Sequence, residues 1–415
     1  MGETSTSSPR LLPYVILLGA VFALGSLGVD AILPALSQIA TDLQLSNPNI
    51  SQWLVIAFVL GMGIGNLVGG PLSDSVGRRK IITAGLLMYM GSSFVMSTHS
   101  AWPAFDYQLE AMLLMRVLQG AGASFATVAA TAMVRDVFTG PAMARVLSHS
   151  MVIFAMMPAL APFLGKFVAG AWGWPIIFLV FALFALVITT YTKATMKETN
   201  THLAPLSFSA LKQSAADVLG IQIVRRAILA QTLVFGVLFS LISTIQPIFD
   251  QTFHRATSFP EYFALMALAI AFAGIANGKA VQKSEPLTLA RMALTGQVVA
   301  GGFALTGIEM AGTGTDLAFG IFMAWGCISF FCNGFIIGNL SSVAMDPAGE
   351  HAGMASTLIS SIPLIGAVVL DAPVSVFFNG TPQFLLNFVV TFAGFAVAAI
   401  TLFKKTDAAD QEAAA

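Results

Sequence analysis

Apolar residues along the chain gather into runs of roughly 20, each closed by charged, Pro-rich or Asn-rich stretches. At about 1.5 Å per residue, a helical run of that length crosses about 30 Å of hydrocarbon. The pattern predicts twelve spans, near 11–40, 50–71, 81–97, 108–134, 146–169, 174–192, 227–249, 259–280, 289–308, 317–340, 354–378 and 384–403. The longest polar stretch, 193–226, divides them into two sets of six. Its Pro205, repeated Ser and mixed charge predict a cytoplasmic linker with a short surface helix around 208–219. The expected organisation is an all-α polytopic membrane protein: an N-terminal six-helix half over 1–192, a linker over 193–226, a C-terminal six-helix half over 227–405 and a disordered tail over 406–415.

Composition agrees: 57% of the 415 residues are hydrophobic and 9% charged, where soluble domains carry about a quarter charged residues. Cytoplasmic loops retain Lys and Arg, and these bases fall on one side if the N-terminus is placed inside. That set runs from Arg10 through Arg78, Arg79, Lys80, Arg135, Arg145, Lys193, Lys197, Lys212, Arg225, Arg226, Lys279, Lys283 and Arg291 to Lys404 and Lys405. The opposite loops keep only Arg255, while Arg116 and Lys166 lie within spans. Both termini are expected to be cytoplasmic. The polar N-terminus carries no base over 1–9, so the first span is expected to remain in the mature protein. A net charge of −1, with one short basic tract at 78–80, argues against nucleic acid as a partner. Cys327 and Cys332 share one apolar run at a spacing that fits no four-ligand metal pattern, and read as buried apolar residues. No cofactor or metal is expected.

The strongest local signal is Gly69-Gly70-Pro71-Leu72-Ser73-Asp74-Ser75-Val76-Gly77-Arg78-Arg79-Lys80, between spans two and three. It resembles the loop at this position in the major facilitator superfamily. Gly70 and Gly77 permit a tight turn, while Asp74, with Arg78 and Arg79, is placed to cap or pair with neighbouring helix ends and latch the inner faces of the two halves. Topology alone also calls for bases here. A degraded counterpart at 278–286 suggests that the halves are repeats, the layout in which transporters alternate access around a midplane site.

Leu114-Met115-Arg116-Val117-Leu118-Gln119-Gly120-Ala121-Gly122-Ala123 looks like the fourth-span motif of proton-coupled exporters in that superfamily. A cation in an apolar helix costs several kcal/mol unless paired or hydrated. Arg116 is therefore either a structural arginine bonded to carbonyls or Gln119, or a cavity arginine that tunes proton or anion binding. Asp30, in Gly28-Val29-Asp30-Ala31-Ile32-Leu33-Pro34-Ala35-Leu36, resembles the first-span element of drug:proton antiporters and is the most attractive partner. Both lie about 15 Å from the outer surface by helix rise, which makes the pair a candidate for proton coupling; a permanent structural salt bridge is the alternative. Pro158, Pro162 and Gly165 of span five are similar to the antiporter motif for helix bending and close packing. Lys166 stands where a second Gly is usual, and is expected to snorkel. Val134-Arg135-Asp136-Val137-Phe138 and His351-Ala352-Gly353-Met354-Ala355-Ser356 bring the resemblance closest to the bicyclomycin/chloramphenicol-resistance branch.

Asp371 in span eleven matches no element of that branch and reads as a second proton site, a cation-binding group or an end-of-helix acid. Gln246 and Asn333, mirrors by span number of Asp30 and Arg116, join Gln119 as candidate cavity residues, with interhelical hydrogen bonding as the alternative. The resemblance implies a monomeric, proton-coupled exporter of small amphipathic or apolar compounds in a bacterial inner membrane. The alternatives are an importer or uniporter of an organic anion held by Arg116, and a non-transporting receptor or structural subunit. No nucleotide-binding loop or nucleophile-base arrangement is present, so neither ATP drive nor an enzyme is expected.

Overall fold

The computed structural model describes residues 11–102, 107–201, 203 and 205–414, with side chains to residue 401 except that of Glu350. Arg10, the stretch 103–106 before span four, and the side chains of Lys404 and Lys405 lie outside the described residues. Fourteen α-helices are described: α1 (Leu11–Asp30), α2 (Leu36–Asp42), α3 (Trp53–Val76), α4 (Arg78–Ser97), α5 (Gln108–Val137), α6 (Gly140–Trp172), α7 (Pro175–Thr195), α8 (Phe208–Gly220), α9 (Gln222–Gln251), α10 (Phe259–Ala280), α11 (Pro286–Ala311), α12 (Asp316–Met345), α13 (Ala352–Phe377) and α14 (Pro382–Ala414). Among the described residues, eleven spans are long and apolar enough to cross a bilayer. The twelfth, α11, has the length, 26 residues, but carries Arg291, Gln297 and Glu309. α8 is the expected surface helix in the linker. α14 continues over 406–414, the stretch expected to be a disordered tail.

Sequence sets the breaks. Pro34 cannot donate a backbone hydrogen bond, and α1 gives way after Asp30 to a turn and a 3₁₀ segment, Leu33–Ala35, before α2 resumes. α3 ends where Gly77 takes φ +113°, a backbone open to glycine, and α4 starts at the next residue.

The two sets of six pack alike. α1 packs on α6, α3 and α4 on α5, and α4 on α7; correspondingly α9 packs on α13, α10 and α11 on α12, and α11 on α14. The halves meet along α3 with α13 and α6 with α10. These two pairings exchange when the halves are interchanged, so the bundle has a pseudo-two-fold relation that the faint loop repeat had suggested.

Apart from Arg116, Lys166 and Arg255, the described bases mark one end of the bundle: the α3–α4 turn, the ends of α5, α7 and α10, the starts of α6, α9 and α11, and the linker. This is the basic end. The apolar interior is not uniform along the axis. One continuous core joins the N-terminal half to the far ends of α9, α10, α12 and α14, while the basic ends of the C-terminal helices form a separate cluster that includes Val224, Leu294, Ile336, Ile359 and Ala396. The halves are thus sealed together at the far end and have distinct cores at the basic end.

Candidate functional site

Arg116 lies in the middle of the N-terminal half with no exposed surface. Its Nε donates to the carbonyl of Leu54 at 2.8 Å, Nη1 to Gln119 Oε1 at 2.6 Å and Nη2 to the carbonyl of Gly28 at 2.6 Å. The last carbonyl is in the final turn of α1, where a helix has acceptors without intrahelical donors and where a positive charge complements the helix dipole. The guanidinium carbon also sits 4.5 Å from the centre of the Phe58 ring. Gln119 passes the chain on, donating to Ser93 Oγ at 2.7 Å. Glycines allow this closeness: a methyl group on Gly28 would overlap Phe58, and one on Gly120 would overlap the carbonyl of that same Phe58. The geometry is that of the structural alternative, an arginine bonded to carbonyls and Gln119.

The expected pairing of Asp30 with Arg116 is not made. The two are at the same depth, but the guanidinium takes the carbonyl two residues before Asp30, whose own Oδ2 accepts from Ser26 Oγ one turn back at 2.9 Å. Asp30 is 4% exposed and belongs to no ion pair among the described residues. It is an acid in the protein interior, beside the break made by Pro34, without a counter-charge.

In the C-terminal half, α13 runs on to Phe377, so Asp371 is not an end-of-helix acid; it is 1% exposed and its Oδ1 accepts from Ser243 Oγ of α9 at 3.1 Å. Gln246 reaches across the halves, with Nε2 3.5 Å from Ser37 Oγ, while its Oε1 has no partner. Asn333 bonds along its own helix to the carbonyl of Ser329 at 2.9 Å, and its Oδ1 is likewise unpartnered. Gln119, Gln246, Asn333 and Asp371 are therefore all interior, but they are not gathered with Asp30 into one cluster.

The loop at 69–80 was expected to latch the two halves. In this conformation its side-chain bonds go to the N-terminal half and to the first residues of the linker. Arg78 pairs with Asp74, with Asp136 at 3.1 Å and with Ser73 Oγ at 2.6 Å. Glu198, just past α7, caps the start of α4 by accepting from the backbone N–H of Arg78 at 2.9 Å and of Arg79 at 3.1 Å. Arg79 returns a bond to the carbonyl of Lys193 at 2.7 Å. Glu198 was missed in the sequence; an acid at the end of span six, amid bases, was the available signal. Toward the other half, Gly70 faces α13, where an added methyl group would lie 3.3 Å from Thr357 Oγ1.

Pro158 and Pro162 sit inside α6, and Gly165 brings that helix against α1, since a methyl group there would overlap the carbonyl of Ala31. Lys166, expected to snorkel, extends at the far end of the bundle. It crosses to the other half, where it lies 3.6 Å from Glu261 and donates to the carbonyl of Thr257. Other far-end bonds join the halves too: Ser37 Oγ to Asp250 at 3.3 Å, Asn49 to the carbonyl of Phe378 at 2.8 Å and Trp53 Nε1 to Ser375 Oγ at 2.8 Å.

Two pseudo-symmetric six-helix halves, a seam closed at one end only, and ionisable groups held in the interior define a multi-pass membrane transporter. The family model of the Major Facilitator Superfamily matches residues 17–370, and the chain belongs to that superfamily. It is 26% identical over 362 residues to the bicyclomycin resistance protein homolog of Haemophilus influenzae, covering 86% of this chain and 87% of the relative. It is 34% identical over 169 residues to the chloramphenicol resistance protein of Pseudomonas aeruginosa, covering 40% of this chain and 38% of that one. The partially occluded inward-open xylose transporter XylE of E. coli has the same fold, with a TM-score of 0.73 at 12% identity over 95% of this chain and 97% of that one.

Proposed function

We propose that this transporter exports small amphipathic or apolar compounds in exchange for protons by alternating access, with the basic end cytoplasmic. The observation that carries the alternation is the asymmetric seam: a continuous apolar core at the far end and separate cores at the basic end, one of the two states such a cycle requires. Resistance proteins among its relatives support drug-like compounds as cargo and export as the direction. Proton coupling is assigned to Asp30, an interior carboxylate without a counter-ion, whose charge is tolerable when water reaches it and costly when the site is dry. Arg116 positions α1 around that acid. Its donors already end on two carbonyls and Gln119, which argues against the reading in which it holds the carboxylate of an imported anion.

The test is flux in proteoliposomes under an imposed pH gradient, with a panel of compounds that includes chloramphenicol and bicyclomycin. Asp30→Asn removes the titratable group and keeps its shape. It is expected to bind cargo within a few-fold of the unaltered protein and to lose gradient-driven movement. Uphill transport by Asp30→Asn on a pH gradient alone overturns the assignment.

A further inference from the structure

α3 and α13 run antiparallel along the seam between the halves, in a register fixed by three contacts. Trp53 bonds Ser375 at 2.8 Å, Asn66 bonds the carbonyl of Ser360 at 3.3 Å, and Gly63 abuts Ile365. That register sets Ile56 level with Asp371, near the far end. Asp371 faces a crevice between the halves lined by Val55, Ile56 and Val59 of α3, Phe239 of α9 and Val368 of its own helix, too tight to admit a water molecule. Oδ1 has the Ser243 hydroxyl, the Ser240 hydroxyl lies beside the carboxyl, and Oδ2 makes no hydrogen bond of ordinary geometry.

Among the described residues, no second charge faces this carboxyl. On α9 the nearest acid, Asp250, lies two turns farther out and is engaged by Ser37. The acid of α3, Asp74, is at the basic end with Arg78, and the acid of α12, Asp316, is on the far-end surface with Arg255. Asp217 of α8 and Asp346 and His351, which precede α13, are also at the basic end.

A bare carboxylate would be stranded in such a seam, because burying a charge without a partner costs several kcal/mol. A metal ion is not supported, since it would call for more oxygen ligands than Asp371, Ser240 and Ser243 supply. An organic cation has no room. A proton satisfies both constraints, since it neutralises Asp371 and adds no volume.

We propose that Asp371 is a second proton-binding site, located in the C-terminal half, that takes a proton from water on the outer side when the far-end seam opens and must hold it for the seam to close. The proposal rests on the orientation given under the proposed function. It adds to Asp30 a site on the opposite half whose occupancy sets the conformational equilibrium whether or not cargo is present. Splitting the seam would hydrate Oδ2 and let the proton leave to outer water; closing would require its return.

Two spin labels test this without any cargo, at Gln38 on α2 and Leu317 on α12, both exposed at the far end. They are placed in a Cys327→Ser, Cys332→Ala background that elutes as the unaltered protein does. Distances are measured in lipid nanodiscs from pH 5 to 9. The expected result is a long-distance population that grows with pH when Asp371 is present. Asp371→Asn should hold the short distance throughout, with the long population cut at least fivefold at the alkaline end. Asp371→Glu, which keeps a titratable carboxyl, should restore the pH response. Full pH response in Asp371→Asn overturns the proposal, as does its absence in the unaltered protein. Loss of the response in Asp30→Asn alone also overturns it, and would leave the Asp30 assignment standing.

Discussion

Arg116 keeps its charge inside the bundle because its N–H groups end on three oxygen acceptors, one of them the Gly28 carbonyl in the last turn of α1, where intrahelical donors run out. Arg116→Ala strips partners from the carbonyls of Leu54 and Gly28 and from Gln119 together, a loss of about 3 kcal/mol or more by the usual cost of breaking buried charged bonds. Arg116→Lys is expected to recover little, because an ammonium lacks the planar fork that reaches α1, α3 and Gln119 at once. Thermal unfolding in detergent measures both, and a Lys variant as stable as the unaltered protein would refute the account. This site shows what sequence can carry at the residue scale. A lone Arg amid apolar residues announces that it needs partners, and Gln119, one turn on, was visible as one of them. The backbone acceptors were not, because one lies where α1 ends and the other is brought to Arg116 only by the close packing of α1, α3 and α5 that Gly28 and Gly120 permit around Phe58. Asp30 looked like the partner because depth along a helix axis is legible, whereas the rotation that turns a carboxylate toward Ser26 is not.

Helices are a more forgiving scale, since bilayer thickness fixes their length and an apolar run long enough to cross has few alternatives to doing so. All twelve expected spans correspond to helices here, including α11, whose Arg291, Gln297 and Glu309 dilute its hydropathy; Gln297 is nonetheless satisfied inside, donating to Ser329 of α12 at 2.8 Å. Helix ends are less legible. α4 begins at Arg78, earlier than its apolar run, because Glu198 supplies acceptors for its first free N–H groups across 120 residues of chain. That capping should be worth about 1 kcal/mol. Glu198→Ala is expected to speed amide exchange at Arg79, Lys80 and Ile81 about fivefold, leaving α10 and α11 unchanged. Glu198→Gln, which retains one side-chain acceptor, should lie between. Exchange rates at 79–81 unaltered by either substitution would remove Glu198 from the helix start.

At the scale of the whole molecule, the far-end seam must come apart for the opposite face to open, and its contacts differ in weight. The partly buried bond of Trp53 to Ser375 and the apolar core beneath it resist separation most. Lys166 with Glu261 is half-exposed, 43% and 53% by side chain, and such pairs contribute up to about 1 kcal/mol. In a two-state equilibrium that small term still matters, since about 1 kcal/mol shifts the ratio of closed to open about fivefold. Glu261→Ala should therefore raise the far-end-open population by a factor between one and about five, and by less at high salt. Lys166→Ala should raise it further, because it also removes the donor to the Thr257 carbonyl. The double substitution should match Lys166→Ala alone, since the pair's contribution can be lost only once. Far-end spin-label distances read these populations directly. If the effects of the two single substitutions add in the double, the charges act separately, and Lys166 joins the halves through the Thr257 carbonyl and not through Glu261.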